Sequence, residues 1–109
     1  MANVIIELTF PNVSQTKREK YKDFALELTE KQYSSRLGCY SPKEKKIEIS
    51  AITKECRHDV LITFIHELSH HIEFVNTKET GHQKSFYDIH KRLLKTAVDL
   101  EYAAGNGFV

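Results

Sequence analysis

Apolar residues follow two different periods in the first third of the chain. From residue 4 to residue 10 every second residue is apolar, as in a strand: Val4, Ile6, Leu8 and Phe10. Beyond Pro11 the apolar residues recur at the spacing of a helical face: Tyr21, Phe24, Ala25 and Leu28. We therefore predict a strand over residues 4–10, and then a helix that is capped by Ser14 or Thr16 and continues to about residue 32.

A pair of short strands is predicted next. Residues 36–40 and 45–50 have the composition of strands, and the Ser-Pro-Lys-Glu stretch between them suits a hairpin turn. Alternation within the second strand places Ile47 and Ile49 on one face. The pattern predicts a hairpin with one apolar face.

Two longer helices complete the predicted fold. One runs from about Asp59 to Val75 with a continuous apolar face, and the other begins at His82 or Gln83 and continues to about Ala104. A chain of 109 residues is long enough for one domain with a modest core. We therefore predict a single α+β domain over residues 1–109, with a small mixed or antiparallel sheet of about three strands, an N-terminal helix, a central helix and a C-terminal helix.

Composition and charge narrow the possible classes of function. Charged residues make up 28% of the chain and apolar residues 40%, which argues against a disordered chain or a membrane span. The net charge of +1 gives no overall attraction to nucleic acid. The first residues lack the features of a secretion signal, and Cys39 and Cys56 form no C-x-x-C pair. A cytoplasmic protein with free thiols is therefore expected.

The central helix contains the sequence HELSHH at residues 66–71. On a helix, His66 and His70 are about 40° apart around the axis and about 6 Å apart along it, on the side opposite the apolar face. Two imidazoles so placed can bind one zinc ion. Glu67 lies beside them but points elsewhere, which suits a general base acting on a water molecule that the metal activates. The motif predicts a catalytic site with one zinc ion per chain.

Such a site needs a third ligand, and the sequence leaves three possibilities. The metzincin pattern is excluded, because Glu73 and Asn76 stand where that class has glycine and histidine. His82 is the preferred candidate, since it lies at the start of the last helix on its inward side. A carboxylate of the last helix, Asp88 or Glu101, is the second possibility, and the absence of a third protein ligand is the last.

Three stretches of the chain together resemble the SprT-like zinc metalloprotease family: RLGCYSPKEKKIEIS, LITFIHELSHHIEF and TGHQKSFYDIHKRLL. They combine a strand pair, an H-E-x-x-H helix, and a second helix opened by Gly-His and followed by Phe86. The resemblance covers about residues 36–94. It implies a minimal zincin-like protease fold, zinc held by His66, His70 and His82, and Glu67 as the catalytic residue. The Cys-rich zinc ribbon of many bacterial members is not expected here.

The predicted function is zinc-dependent hydrolysis of peptide bonds. The substrate is a protein or peptide, bound as an added strand along Lys45–Ser50 if that strand is a sheet edge. Nucleic acid is a possible partner by family analogy only, no membrane partner is expected, and the oligomeric state is not predicted. A catalytically silent, zinc-stabilised binding module and a metal-dependent hydrolase of a non-peptide bond are the alternatives.

The charge that develops on the peptide carbonyl needs a hydrogen-bond donor, and four side chains are candidates: Tyr40, His71, Tyr87 and His90. His71 projects about 100° from His70, so it is expected in solvent or beside a ligand. His90 lies on the inward face of the last helix and is expected to be a hydrogen-bonded core residue.

Overall fold

Four helices and a three-stranded sheet make up the part of the chain that the computed structural model describes, residues 2–29, 38–50, 57–79, 81 and 84–103. In chain order the elements are α1 (Ala2–Thr9), α2 (Gln15–Lys22), β1 (Ala25–Thr29), β2 (Gly38–Ser41), β3 (Lys46–Ser50), α3 (Arg57–Thr77) and α4 (Lys84–Ala103). The predicted α+β class is confirmed. Within these ranges no helix is both long and apolar enough to cross a lipid bilayer.

The sheet has the strand order β1-β3-β2, so that β3 is its central strand. β1 pairs with β3 in parallel, and β2 pairs with β3 in the antiparallel direction. The registers place Ala25 opposite Lys46 and Gly38 opposite Ile49. Because β3 has a hydrogen-bonded neighbour on each side, the segment Lys45–Ser50 is not a sheet edge. The condition on which a substrate strand was predicted along this segment, an open sheet edge, is therefore not met.

The β2–β3 hairpin forms where the sequence predicted it. Its turn covers residues 42–45 and ends at Lys45, which has a left-handed backbone with φ 51°. The main-chain N–H of Lys45 donates to the carbonyl of Pro42 at 3.3 Å. Ile47 and Ile49 are buried together, as the alternation in β3 predicted.

Helices α3 and α4 pack on each other and supply most of the core. The buried apolar residues of α3 are Phe64, Ile65, Leu68 and Ile72, and those of α4 are Phe86, Ile89, Leu93 and Ala97. The apolar faces predicted for both helices are thus confirmed. On α3, the polar residues Ser69, His71 and Glu73 are also fully buried. This helix is covered by the sheet on one side and by α4 on another.

Residues 2–9 form a helix, so the strand predicted over residues 4–10 is wrong. Ile5, Ile6 and Thr9 are buried, whereas Val4 and Leu8 are 49% and 56% exposed. The apolar run contains Ile5 as well as the alternating residues, and it therefore fits a helical face equally well. Packing against α4 decides between the two, and the hydroxyl groups of Thr9 and Thr96 are hydrogen-bonded at 2.7 Å across this contact.

The helix predicted from Ser14 or Thr16 to about residue 32 is two elements as far as residue 29, and residues 30–32 lie outside the described part of the chain. Ser14 is the cap, since its Oγ accepts a hydrogen bond from the main-chain N–H of Lys17 at 3.3 Å. The helix ends at Lys22, and the chain continues as strand β1. Leu28, which the helical pattern placed inward, is 63% exposed. The prediction failed because the ladder to β3 satisfies the backbone of β1 through residues distant in sequence.

The basic residues of α2 are partly occupied by contacts to α1 and the turn after it. Arg18 Nε lies 2.9 Å from a carboxylate oxygen of Glu7, and Lys22 pairs with the same carboxylate. The hydrogen bond from Lys22 lowers the pKa of Glu7. Lys17 and Lys20 are exposed. These contacts join α2 to α1, so that only some of the basic residues of α2 face solvent.

Candidate metal centre

His66 and His70 lie on successive turns of α3, and the structure brings their side chains together. The ring centroids are 5.0 Å apart with an angle of 78° between the ring planes. Two imidazoles that bind one tetrahedral zinc ion through nitrogens at about 2.0 to 2.1 Å have their centroids about 5 Å apart. Both side chains are half-buried. The pair therefore fits a shared metal ion in both spacing and donor chemistry.

Phe86 of α4 packs against this pair from the neighbouring helix. Its ring centroid is 5.1 Å from that of His66 and 4.5 Å from that of His70, and its side chain is 1% exposed. The ring of His90, one turn later on α4, is stacked on Phe86 at a centroid distance of 5.9 Å. Phe86 thus limits the rotation of both imidazoles, because they cannot turn without displacing a buried ring.

Glu67 is buried beneath strand β2. The side chain is 7% exposed, although it lies next to the half-buried His66. Gly38 of β2 lies close above it: a Cβ atom built on Gly38 would be 3.5 Å from Glu67 Cγ. The same Cβ would be 2.8 Å from the carbonyl oxygen of Glu48 and 2.9 Å from Thr63 Cγ2. Only glycine permits this approach of β2 to α3, which brings the strand close to Glu67 at Gly38.

The described residues do not show a third ligand beside His66 and His70. His82, the preferred candidate from the sequence, lies outside the described residues. No three His, Cys, Asp or Glu side chains of the described ranges are grouped closely enough to hold a metal ion. Asp88 is exposed on α4 and joins no such group, and the side chain of Glu101 lies outside the described part. His82 therefore stays the predicted third ligand.

His71 is a fully buried residue of the fold, so its predicted position in solvent is wrong. One ring nitrogen, Nδ1, lies 2.7 Å from the hydroxyl oxygen of Tyr40, and the other, Nε2, lies 3.0 Å from the carbonyl oxygen of Lys20. Burial lowers the pKa of His71 and raises the pKa of Tyr40 to about 12. Both groups are therefore neutral at physiological pH. Two of the four candidate donors to the developing oxyanion are thus engaged with each other.

His90 and Tyr87 are the two candidates that lie near the histidine pair. The ring of His90 is 5.9 Å from that of His66, and burial lowers its pKa. Tyr87 is 56% exposed, with its ring 5.3 Å from Phe86. His90 is half-buried, so it faces inward but is not the fully buried core residue that was predicted.

Several features around the centre could not be identified from the sequence. The close approach at Gly38 and the bond between Tyr40 and His71 depend on which strand crosses α3. A further pair joins α3 to α4, since Ser85 Oγ donates to Glu73 Oε2 at 2.6 Å. In the sequence, Glu73 marks only a departure from the metzincin pattern. None of these residues belongs to a motif with recognisable spacing.

Comparison with solved structures identifies a similar fold in a peptidase. The chain aligns with the crystal structure of the metallopeptidase zymogen of Pyrococcus abyssi abylysin with a TM-score of 0.52 and 11% sequence identity, over 100% of both chains. At this identity the likeness concerns the fold alone. A search of curated proteins found no match. The model of the SprT-like family matches residues 6–104, nearly the full 109 residues, and the protein therefore belongs to the SprT-like family.

Proposed function

We propose that the protein is a zinc-dependent metallopeptidase that uses Glu67 as general base and acid. The observation that carries this proposal is the pairing of His66 and His70 at a centroid distance of 5.0 Å, with the buried Glu67 between them in sequence. Membership of the SprT-like family and the fold shared with a metallopeptidase support a peptidase. His66 and His70 would hold the ion, together with His82 as the proposed third ligand.

The side chains around the candidate metal centre would have separate roles in hydrolysis. Zinc, when bound, supplies Lewis acidity, which polarises a carbonyl and lowers the pKa of a bound water to about 7. Glu67 accepts the proton of the attacking water and later donates it to the amine of the departing peptide. Its position under β2 fixes the carboxylate and limits its access to bulk water. His90 and Tyr87 are the side chains that we propose as donors to the developing oxyanion, since Tyr40 and His71 bond to each other.

We propose that the substrate binds along β2 instead of β3. β2 is an edge of the sheet, and no described residue pairs with its outer side. At Gly38 the main chain of this strand passes directly above Glu67, so a peptide added to the outer side would lie beside the carboxylate. Recognition through main-chain hydrogen bonds would make the sequence specificity broad. Nucleic acid as a partner stays a prediction by family analogy.

The proposal is tested with purified wild type, Glu67→Gln, His66→Ala and His82→Ala. Zinc content is measured by elemental analysis, and cleavage of casein is followed in the same samples. We expect about one zinc ion per chain in wild type and in Glu67→Gln, a large loss in both histidine variants, and cleavage by wild type only. Glu19→Gln, which changes an exposed carboxylate of α2, is the matched control and should behave as wild type.

The other outcomes point to different functions. If the wild type binds zinc but cleaves nothing, and Glu67→Gln changes no measured property, a catalytically silent binding module would be favoured. Cleavage of nucleic acid but not of casein would favour a hydrolase of non-peptide bonds. Zinc retained in His82→Ala would remove that residue from the ligand set.

A further inference from the structure

The carboxylate of Glu73 is buried between α3 and α4 in an arrangement that the proposed mechanism does not use. The residue is 0% exposed, and its Oε2 accepts a hydrogen bond of 2.6 Å from Ser85 Oγ. Its other oxygen, Oε1, is also buried and has no hydrogen-bond partner among the described residues. Buried polar atoms without a partner are rare in native proteins, because they lose water and gain nothing in return.

The position of Glu73 relates it to the candidate metal centre. It lies three residues after His70, so the two side chains leave α3 on neighbouring turns of the same side. Its partner Ser85 precedes Phe86, the ring that packs against His66 and His70 at 5.1 and 4.5 Å. The hydrogen bond between Glu73 and Ser85 therefore fixes the first turn of α4 at the point where α4 contacts the imidazoles.

We propose that Glu73 is a positioning residue of the metal centre: through Ser85 it holds Phe86 against His66 and His70, and so keeps the two imidazoles in the orientation that binds metal. The inference rests on the proposed metal site. Groups that orient ligand imidazoles through direct hydrogen bonds contribute about 10-fold to 100-fold to metal affinity. Glu73 would orient them indirectly, through Ser85 and the packing of Phe86. Glu73 itself is not a ligand in this proposal, and it takes no part in the proton transfers assigned to Glu67.

Two variants and one matched control test the proposal. Glu73→Gln keeps the volume of the side chain and one acceptor oxygen, but replaces the other carboxylate oxygen with an NH2 group and removes the negative charge. Ser85→Ala removes the donor with little change in volume. The control is Tyr21→Phe, which removes the hydrogen bond of 2.9 Å from the Tyr21 hydroxyl to Asn76, one turn further along α3. All three changes remove or alter a polar contact to α3, but only the first two concern the end of α4 beside the histidines.

The readout is the zinc dissociation constant, measured by competition with a chromophoric chelator, together with urea unfolding of the metal-free proteins. We expect Ser85→Ala, which removes the hydrogen bond, to weaken zinc binding by about 10-fold. Glu73→Gln, whose amide oxygen can still accept from Ser85, should weaken it less, and Tyr21→Phe should change it by less than about twofold. The visible absorption of the Co²⁺-loaded protein should change in the first two variants only, because that spectrum reports the ligand geometry. A change in the free energy of unfolding without a change in zinc affinity would mean that Glu73 and Ser85 only join the two helices, and it would overturn the positioning role.

The possible outcomes separate this inference from the proposed function. Wild-type zinc affinity and an unchanged Co²⁺ spectrum in both Glu73→Gln and Ser85→Ala would overturn the positioning role, while leaving the metallopeptidase proposal intact. Failure of the wild type to bind zinc would overturn the metal site, and the positioning role with it. If Glu73→Gln does not fold, Ser85→Ala decides the question by the same measurements.

Discussion

The hydroxyl of Tyr40 donates a hydrogen bond to Nδ1 of His71 at 2.7 Å, and the direction of this bond is set by the other side of the ring. Nε2 of His71 lies 3.0 Å from the carbonyl oxygen of Lys20, which can only accept. Nε2 therefore carries the ring hydrogen, Nδ1 is the acceptor, and the phenol is the donor. The contact joins β2, α3 and the end of α2 through one buried imidazole.

The tautomer of His71 is a direct prediction of this arrangement. We expect the neutral ring with its hydrogen on Nε2, since burial lowers the pKa of His71. Nitrogen-15 chemical shifts of the imidazole at neutral pH distinguish the two tautomers from each other and from the charged ring. A signal from the tautomer protonated at Nδ1 would contradict the geometry described above.

Tyr40→Phe separates a structural role of the phenol from a catalytic one. The substitution leaves Nδ1 of His71 buried without its donor, so the free energy of unfolding should fall by about 1 to 2 kcal/mol. Casein cleavage by the folded variant should stay close to wild type. If Tyr40 stabilised the oxyanion, the rate would instead fall by about 100-fold to 1,000-fold. Urea unfolding and initial rates of casein cleavage decide between these results. Tyr87→Phe, which removes the hydroxyl of an exposed tyrosine proposed as an oxyanion donor, is measured for comparison.

Arg92 stabilises the helix that the sequence pattern did not predict. Its Nη2 donates to the carbonyl of Thr9, the last residue of α1, at 2.8 Å, and its guanidinium lies 4.7 Å from the ring centroid of Phe10. Arg92→Lys would keep the charge but lose the planar group, so we expect a loss of about 1 kcal/mol in the free energy of unfolding. Lys91→Ala, at the neighbouring exposed position, should have a much smaller effect. Equal effects of the two changes would mean that this contact contributes nothing specific.

The predictions from sequence were accurate where the structure is decided locally. The hairpin between β2 and β3 has its turn encoded within residues 42–45, and α3 and α4 have long apolar faces of one period. The spacing of His66 and His70 on one helix likewise fixed their proximity before any packing was known.

The predictions failed where the structure depends on partners distant in sequence. The apolar run at residues 4–10 fits a strand and a helix equally well, and its helical form is selected by contacts such as that between Thr9 and Thr96. Residues 25–29 have helical spacing but pair with β3. Around the candidate metal centre, the contacts of Gly38 and the Glu73–Ser85 hydrogen bond depend on how β2 and α4 pack against α3, which the sequence pattern does not show.

Gly38→Ala tests whether the close approach of β2 to α3 positions Glu67. The new Cβ would lie 2.8 Å from the carbonyl oxygen of Glu48 and 2.9 Å from Thr63 Cγ2, both shorter than a van der Waals contact. The carbonyl belongs to the central strand and has little freedom to move, so β2 must shift relative to β3, and the contact with Thr63 forces it away from α3. We expect a loss of about 1 to 3 kcal/mol in the free energy of unfolding, and a larger loss of cleavage than of bound zinc.

A second substitution distinguishes this steric account from a general effect of alanine in a strand. Thr63→Ser removes the Cγ2 atom that the new Cβ would meet. In the Gly38→Ala background it should therefore restore part of the lost free energy of unfolding. Alone, it only removes a methyl group and should be neutral or slightly destabilising. Urea unfolding of wild type, both single variants and the double variant gives the coupling. Cys39→Ala, at the next position of β2, is the control for a small substitution in that strand and should show no such coupling. Strictly additive changes in the free energy of unfolding would exclude the steric contact between residues 38 and 63 as the cause. If the double variant instead recovers both stability and casein cleavage, the distance between β2 and α3 controls the catalytic function of Glu67.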